Sequence, residues 1–341
     1  MRIGLLSPVW LPVPPSGYGG VEEIVALVAD GLVDAGHDVT LFASGDSRTR
    51  ATLDAIFEKA PRDRFGETSW ELRHALHCFL RHEEFDLIHD HSGLLGLALG
   101  SLLPTPFVHT VHGSLEGATG ETYVQIARLA PSLCLVSLSL SQRRSHPELP
   151  WIANVPNALD LSLYEFSPHR GDYLLYLGRM SPEKGAHRAA MVAEDAGLPL
   201  KLAGRCRGQE EQQYFDELVR PLLGDGREYL GEVSREEKIQ LLQDARATLF
   251  PVEWEEPFGL VLIESMACGT PVVATRHGAV PEVVDDGRTG IVVDDWREMT
   301  RALEAADELD PRVMRRAVEE RFAPARMVAD YVAVYEQALG A

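Results

Sequence analysis

Two glutamates, Glu256 and Glu264, stand with seven residues between them and enclose Pro257-Phe258-Gly259-Leu260. The surrounding run, from Pro251 to Ala274, reads as a strand end, an acidic loop, a short helix opening at Phe258–Gly259, a stop at Gly269 and a further strand. Unbonded N–H groups at such a helix start, here on Phe258, Gly259 and Leu260, form an anion site suited to phosphate. Glu264 falls inside the helix in an apolar stretch, where an ionised carboxylate is costly without a partner. There it can accept two hydrogen bonds from a vicinal diol such as a ribose. Glu256, on the loop at the helix mouth, can contact a second hydroxylated group. The plainer alternative makes Glu256 surface charge and Glu264 a buried salt-bridge partner.

Three further segments carry chemistry. In Leu177-Gly178-Arg179-Met-Ser-Pro-Glu-Lys184-Gly185, two cations five residues apart flank a strand-to-helix turn. Arg179 and Lys184 can converge on a diphosphate and neutralise the charge that builds on it as it departs. Taken alone, the segment reads more simply as an exposed turn. Its Ser181-Pro-Glu-Lys184 also spells S-x-x-K, but the strand context and missing partner motifs make this a coincidence. The loop Pro14-Pro15-Ser16-Gly17-Tyr18-Gly19-Gly20-Val21-Glu22 follows the first strand. Gly19 and Gly20 let backbone approach a phosphate at a helix N-terminus, although Glu22 stands where a dinucleotide fingerprint needs its third glycine. A structural turn fits equally well. His89 and His91 follow one strand, and His109 and His112 lie around the end of the next. Four imidazoles at neighbouring strand ends suit a metal; more simply, some are core residues and one or two face a substrate.

These residues need elements to hold them. Short apolar runs alternate with helical patterns along the whole chain, which predicts parallel βα units. Strands are expected at Ile3–Leu6, Val39–Ala43, Asp86–His89, Phe107–Val111, Cys134–Ser137 and Ile152–Val155, with helices such as Val21–Ala35, ended by Gly36, and Ser69–His82. A polar linker is expected near Asn157–Gly171. A second series follows, with strands Tyr173–Leu177, Leu200–Ala203, Tyr229–Leu230, Thr248–Val252, Val272–Ala274 and Ile291–Val293. Its helices are Glu183–Ala196, Glu210–Leu223, Arg235–Gln243 and Gly259–Ala267, the third N-capped by Ser234. Two doubly wound α/β domains in tandem result. Such sheets bind ligands at the carboxyl ends of their strands, so the expected site is a cleft between the domains, lined by residues that follow strands.

Composition narrows the function classes. Of 341 residues, 45% are hydrophobic and 25% charged, as in an ordinary globular protein. A net charge of −20 repels nucleic acid and anionic lipid. Arginines between residues 48 and 81 are interleaved with acids, as on a solvated helical face. No apolar run reaches the ~18–20 residues of a membrane span. The N-terminal apolar stretch, interrupted at Pro8 and Pro12, reads as a buried strand and not as a signal peptide, which points to the cytoplasm. Cys78, Cys134, Cys206 and Cys268 form no CxxC pair and read as reduced core residues.

The Glu256…Glu264 pair with Pro-Phe-Gly inside, continued by Glu-Ser-Met-Ala-Cys-Gly-Thr-Pro-Val-Val-Ala, closely resembles the EX7E signature of family 4 glycosyltransferases. Gly-Arg-Met-Ser-Pro-Glu-Lys-Gly resembles the diphosphate-binding turn of that family. The resemblance covers most of the chain and is strongest over residues 173–293. It implies an α/β GT-B fold, two Rossmann-like domains facing across a cleft: an acceptor domain at 1–160, on which a C-terminal helix at 324–339 packs back, and a nucleotide-sugar donor domain at 161–323. It assigns Glu264 to the ribose, Glu256 to the donor sugar, Arg179 and Lys184 to the diphosphate, and Gly19 and Gly20 to the same diphosphate. Val233, in Leu230-Gly231-Glu232-Val233-Ser234, is expected near the base, His112 against the donor sugar, and Tyr18 and His91 near the acceptor.

The implied activity is transfer of a sugar from a nucleoside-diphosphate sugar, UDP favoured, to an acceptor hydroxyl with retention of configuration. No cofactor or metal is expected: the sequence lacks D-x-D, and Arg179, Lys184 and helix N-termini replace the ion. The partners are a small-molecule donor and a hydroxylated acceptor, with no nucleic acid and no stable membrane insertion. The Arg- and Ala-rich, Lys-poor composition suggests a high-GC bacterium, and the resemblance extends to actinobacterial antibiotic-pathway glycosyltransferases of the avilamycin type. Rival readings are a GT-B nucleotide-sugar 2-epimerase, which the EX7E match opposes, and a non-catalytic nucleotide-sugar-binding protein.

Overall fold

A computed structural model describes residues 1–340. The chain forms two compact units: Met1–Ala158 together with the C-terminal segment from Pro324, and Leu159–Ala323.

The first unit is built on seven parallel strands: β1 (Arg2–Leu6), β2 (Asp38–Phe42), β3 (Thr52–Asp54), β4 (Leu87–Asp90), β5 (Phe107–Thr110), β6 (Cys134–Ser137) and β7 (Trp151–Asn154). Their order across the sheet is β3-β2-β1-β4-β5-β6-β7. The central strands are buried along almost their whole length, because helices cover both faces of a parallel sheet and leave no solvated side to alternate towards. Strand β3 was not anticipated. It is a three-residue edge strand, half-exposed and partly polar, too short to carry a periodicity. The terminal helix Pro324–Gly340 belongs to this unit. Gly31, inside helix Gly20–Asp34, permits its close approach: a Cβ there would lie 2.4 Å from Cγ2 of Val328.

The second unit has six parallel strands: β8 (Tyr173–Leu177), β9 (Leu200–Ala203), β10 (Arg227–Tyr229), β11 (Ala245–Phe250), β12 (Val272–Thr275) and β13 (Gly290–Val293). They are ordered β10-β9-β8-β11-β12-β13. The expected helix 210–223 is broken. An α-helix, Gly208–Tyr214, widens into a π turn over Phe215–Val219 and tightens into a 3₁₀ turn at Arg220–Leu222. Pro221 has no N–H to continue an α-helical ladder, which accounts for the change. Ser234 caps helix Arg235–Gln243 in a full capping box with Glu237. Two further helices, Met299–Asp307 and Pro311–Arg321, follow the last strand.

The segment expected as a linker is packed on this second unit. Tyr164 is fully buried, the Ser167 amide donates to the Cys268 carbonyl at 2.9 Å, and Arg315 donates to the Tyr164 carbonyl at 2.6 Å. Its polar composition hid one large anchor.

Each sheet has one place where the strand order reverses: between β1 and β4 in the first unit, and between β8 and β11 in the second. Loops leaving the carboxyl ends of these neighbouring strands diverge to opposite faces and open a crevice. No helix among the described residues is long and apolar enough to cross a membrane.

Candidate active site

In the second unit the reversal point lies between the turn after β8, Gly178–Gly185, and the loop after β11, Pro251–Gly259. The two are tied together. The Glu253 amide donates to the Glu183 carbonyl at 3.1 Å, and Arg188 donates to the Pro251 carbonyl at 3.1 Å while pairing with Glu253. Gly185, at φ +77°, sits so close that a Cβ would meet the Pro251 oxygen at 2.4 Å. Only glycine combines that backbone angle with that approach.

Across this junction Lys184 Nζ lies 2.5 Å from Glu256 Oε2, and Trp254 Nε1 donates to the same oxygen at 3.0 Å. The ammonium also stands 4.5 Å from the centre of the Trp254 ring, within cation–π range. Glu256 is 7% exposed, so its charge is affordable only with such partners. Glu264, 6% exposed in helix Leu260–Cys268, is held in the same way: Lys238 Nζ at 2.6 Å and the Tyr164 hydroxyl at 2.8 Å both reach Oε1. Each glutamate thus has one oxygen engaged twice, while no hydrogen bond among the described residues reaches the other. The chain contains only four lysines, and two of them are committed to these two carboxylates.

The remaining donor-site candidates of this unit lie on turns that follow strands β8, β10 and β11. Arg179, at the start of the turn, pairs with Glu183 at 3.1 Å and approaches Glu211 at 3.7 Å. Gly259, at φ +84°, caps helix Leu260–Cys268 without a side-chain hydrogen bond, so the first amides after Phe258 are not taken by a capping side chain. Val233 is half-buried in the turn after β10, beside the Ser234 cap. The loop after β12 supports Glu256 from behind. The Ala279 amide donates to the Glu256 carbonyl at 2.8 Å, and a Cβ on Gly278 would lie 2.2 Å from the Glu256 nitrogen.

In the first unit, Gly19 accepts the Glu23 amide at the start of helix Gly20–Asp34, where no side chain caps the helix. Tyr18 is 43% exposed beside it. His112, half-buried after β5, is bonded through Nε2 to His91 Nδ1 at 2.7 Å, and His91 Nε2 lies 3.3 Å from His89 Nδ1. His109 pairs with Asp90 at 2.7 Å and with the Tyr123 hydroxyl at 2.9 Å. The position of His91 differs from the expectation. At 3% exposure, with both ring nitrogens engaged by other histidines, it does not offer a ring atom to an acceptor. Among the described residues no group of three His, Cys, Asp or Glu is arranged to hold a metal.

Comparison with known proteins places the chain in a family. The profile for glycosyl transferases group 1 matches residues 165–317, and that for Glycosyltransferase Family 4 matches residues 18–158. The chain belongs to glycosyltransferase family 4. Its relatives include a glycogen synthase of Mycobacterium tuberculosis (strain CDC 1551 / Oshkosh), 28% identical over 85% of this chain and 82% of that protein. A phosphatidyl-myo-inositol mannosyltransferase of Mycolicibacterium smegmatis is also 28% identical, over 100% and 95%. Among solved structures, AviGT4, a glycosyltransferase involved in avilamycin A biosynthesis, superposes with a TM-score of 0.74 at 28% identity, over 100% and 98% of the two chains. The two parallel-sheet units of this family 4 protein are those of the GT-B fold.

Four residues of this family 4 site were not singled out from sequence: Lys238, Tyr164, Trp254 and Gly278. The one sequence signal that could have drawn attention to Lys238 is the scarcity of lysine, with only four in the chain. Nothing in the spacing linked Tyr164 to Glu264, one hundred residues away.

Proposed function

We propose that the protein transfers a sugar from a nucleoside-diphosphate sugar, a UDP-sugar in preference, to an acceptor hydroxyl with retention of configuration and without a metal. The observation that carries this is the pairing of Lys184 with Glu256 and of Lys238 with Glu264 at the reversal point of the second sheet. Two acids, each with one oxygen fixed and one open, suit two sets of sugar hydroxyls, while Lys184 and Arg179 suit the diphosphate between them.

In this account Glu264 takes the ribose, Val233 lies near the base, and the amides at Phe258, Gly259 and Leu260 bind phosphate oxygens together with those at Gly19 and Gly20. Glu256 and His112 hold the transferred sugar, and Tyr18 lies near the acceptor. The bond from the anomeric carbon to the diphosphate oxygen breaks as the acceptor oxygen bonds on the same face. The acceptor proton passes to the departing diphosphate, whose charge Lys184 and Arg179 neutralise. The four free cysteines favour a reducing compartment, the cytoplasm. Similarity to AviGT4 favours a small-molecule acceptor of an antibiotic pathway.

Release of nucleoside diphosphate from UDP-, GDP- and ADP-linked sugars, assayed in EDTA against a panel of hydroxylated acceptors, tests this. We expect turnover that EDTA leaves intact, with the anomeric coupling of the product matching that of the donor. Inverted product, or activity lost in EDTA and restored by added metal, would contradict it.

A further inference from the structure

The hydrogen bonds that end at His112 begin deep inside the first unit. His89, His91, Thr110, Tyr331 and Tyr335 are all buried. His89 Nδ1 lies 2.7 Å from the Tyr335 hydroxyl, and His89 Nε2 lies 2.8 Å from Thr110 Oγ1, which continues to the Tyr331 hydroxyl at 3.1 Å. From His89 the chain runs through His91 to His112 at 3.3 and 2.7 Å. Of these groups only His112 has a part in the proposed transfer.

Burial holds all three imidazoles neutral near pH 7, with smaller contributions from neighbouring imidazoles: His89 and His91 fall well below the ordinary 6.5 and His112 to about 3. A neutral imidazole has one N–H and one lone pair, so each bond fixes the next. The buried Tyr335 hydroxyl donates to its partner, His89 Nδ1, which leaves the His89 proton on Nε2, donated to Thr110. His91 Nε2 faces His89 Nδ1. Two lone pairs at that separation repel, so His91 carries its proton on Nε2 and shares that acceptor with Tyr335. His91 Nδ1 is then an acceptor, and His112 must donate to it from Nε2. What remains on His112 is the lone pair of Nδ1, to which no described residue donates a hydrogen bond.

We propose that His91 is a positioning residue which, backed by His89 and Tyr335, locks His112 in the Nε2–H tautomer so that Nδ1 presents a hydrogen-bond acceptor to a hydroxyl of the transferred sugar. This rests on the assignment of His112 to the donor sugar. It adds a requirement on the substrate: the sugar position that meets His112 carries a donating hydroxyl. A carboxylate or carbonyl there would set two acceptors against each other.

The tautomer is read directly from two-bond ¹H–¹⁵N correlation spectra of histidine-labelled full-length protein, with no ligand added and the His112 signals assigned by its loss in His112→Ala. We expect a pyrrole-type Nε2 and a pyridine-type Nδ1 on His112 and on His91. His91→Leu should lose that fixed pattern on His112 and lower kcat about tenfold or more, with UDP affinity unchanged. His91→Asn, whose carboxamide oxygen can take the place of Nδ1, should restore much of both. A pyridine-type Nε2 on wild-type His112 overturns the proposal even where the variants fail to fold, and so does an unchanged kcat in a folded His91→Leu. Wild-type turnover by His112→Ala would instead overturn the assignment of His112 to the sugar and leave the tautomer result standing.

Discussion

Lys184→Ala is expected to weaken UDP binding about 10- to 100-fold. A hydrogen bond to a charged group is worth about 1.5–3 kcal/mol, and each 1.4 kcal/mol is a factor of ten in affinity. The estimate stays at that level because Lys184 is not idle in the free protein: it sits 2.5 Å from Glu256, and a diphosphate must share or displace that pair. The variant therefore loses twice. The diphosphate loses its cation, and the 7%-exposed Glu256 carboxylate loses its strongest partner and keeps only the Trp254 indole. Catalysis should fall further than binding, since charge on the diphosphate grows towards the transition state. Lys184→Arg keeps the charge but brings a planar fork to a site built around a point charge and an indole face, and should recover only part of the loss. Calorimetric titration of both variants with UDP checks this. Wild-type affinity in Lys184→Ala would remove Lys184 from the diphosphate.

Gly278→Ala should be nearly as damaging, although it removes no polar group. Gly278 has φ +57°, where an L side chain is strained, and its Cβ would lie 2.2 Å from the nitrogen and 2.3 Å from the oxygen of Glu256. Both contacts are with backbone, which cannot swing aside as a side-chain tip can. The Glu256 segment has to move, and a displacement near 1 Å in a positioned catalytic group can cost about 10²-fold in rate. Lys238, Glu264 and Tyr164 are not touched, so UDP affinity should change much less than kcat. Steady-state kinetics beside UDP titration separates the two. Equal losses in both would mean that the whole donor loop has collapsed, and an unchanged kcat would mean that the backbone accommodates the methyl.

Gly185 and Gly278 together illustrate what a sequence carries. Gly185 belongs to a local turn whose cations and strand lie within eight residues. Gly278 matters only because the loop after β12 folds against the loop after β11, a contact set by sheet order. Both strand series were legible because parallel strands buried on two faces leave unbroken apolar runs, as at Tyr173–Leu177. Edge strand β3, with one side open, left none. The break at Pro221 was missed because flanking helical periodicity masked it. In the linker, polar residues hid Tyr164, whose partner Glu264 is supplied by the tertiary fold. The costliness of a carboxylate inside an apolar helix was plain from sequence, and so was its need for a partner. That the partner is Lys238, from a neighbouring helix, was not. The four histidines show the same division. Their clustering at the ends of β4 and β5 was readable, although His89 lies within β4 and not after it. Their order of bonding, which takes His91 out of solvent, depends on how adjacent strands stack and on tyrosines from the far end of the chain.

The reversal point of the second sheet is proposed to hold a nucleoside diphosphate through Lys184, Arg179 and Glu264. The most direct measurement is calorimetric titration of the wild-type protein with UDP, GDP and ADP, first in magnesium and then in EDTA. Selective binding of one diphosphate, UDP, with the same affinity in both buffers is the expected result. Absence of binding to all three, or binding that appears only with magnesium, would contradict it.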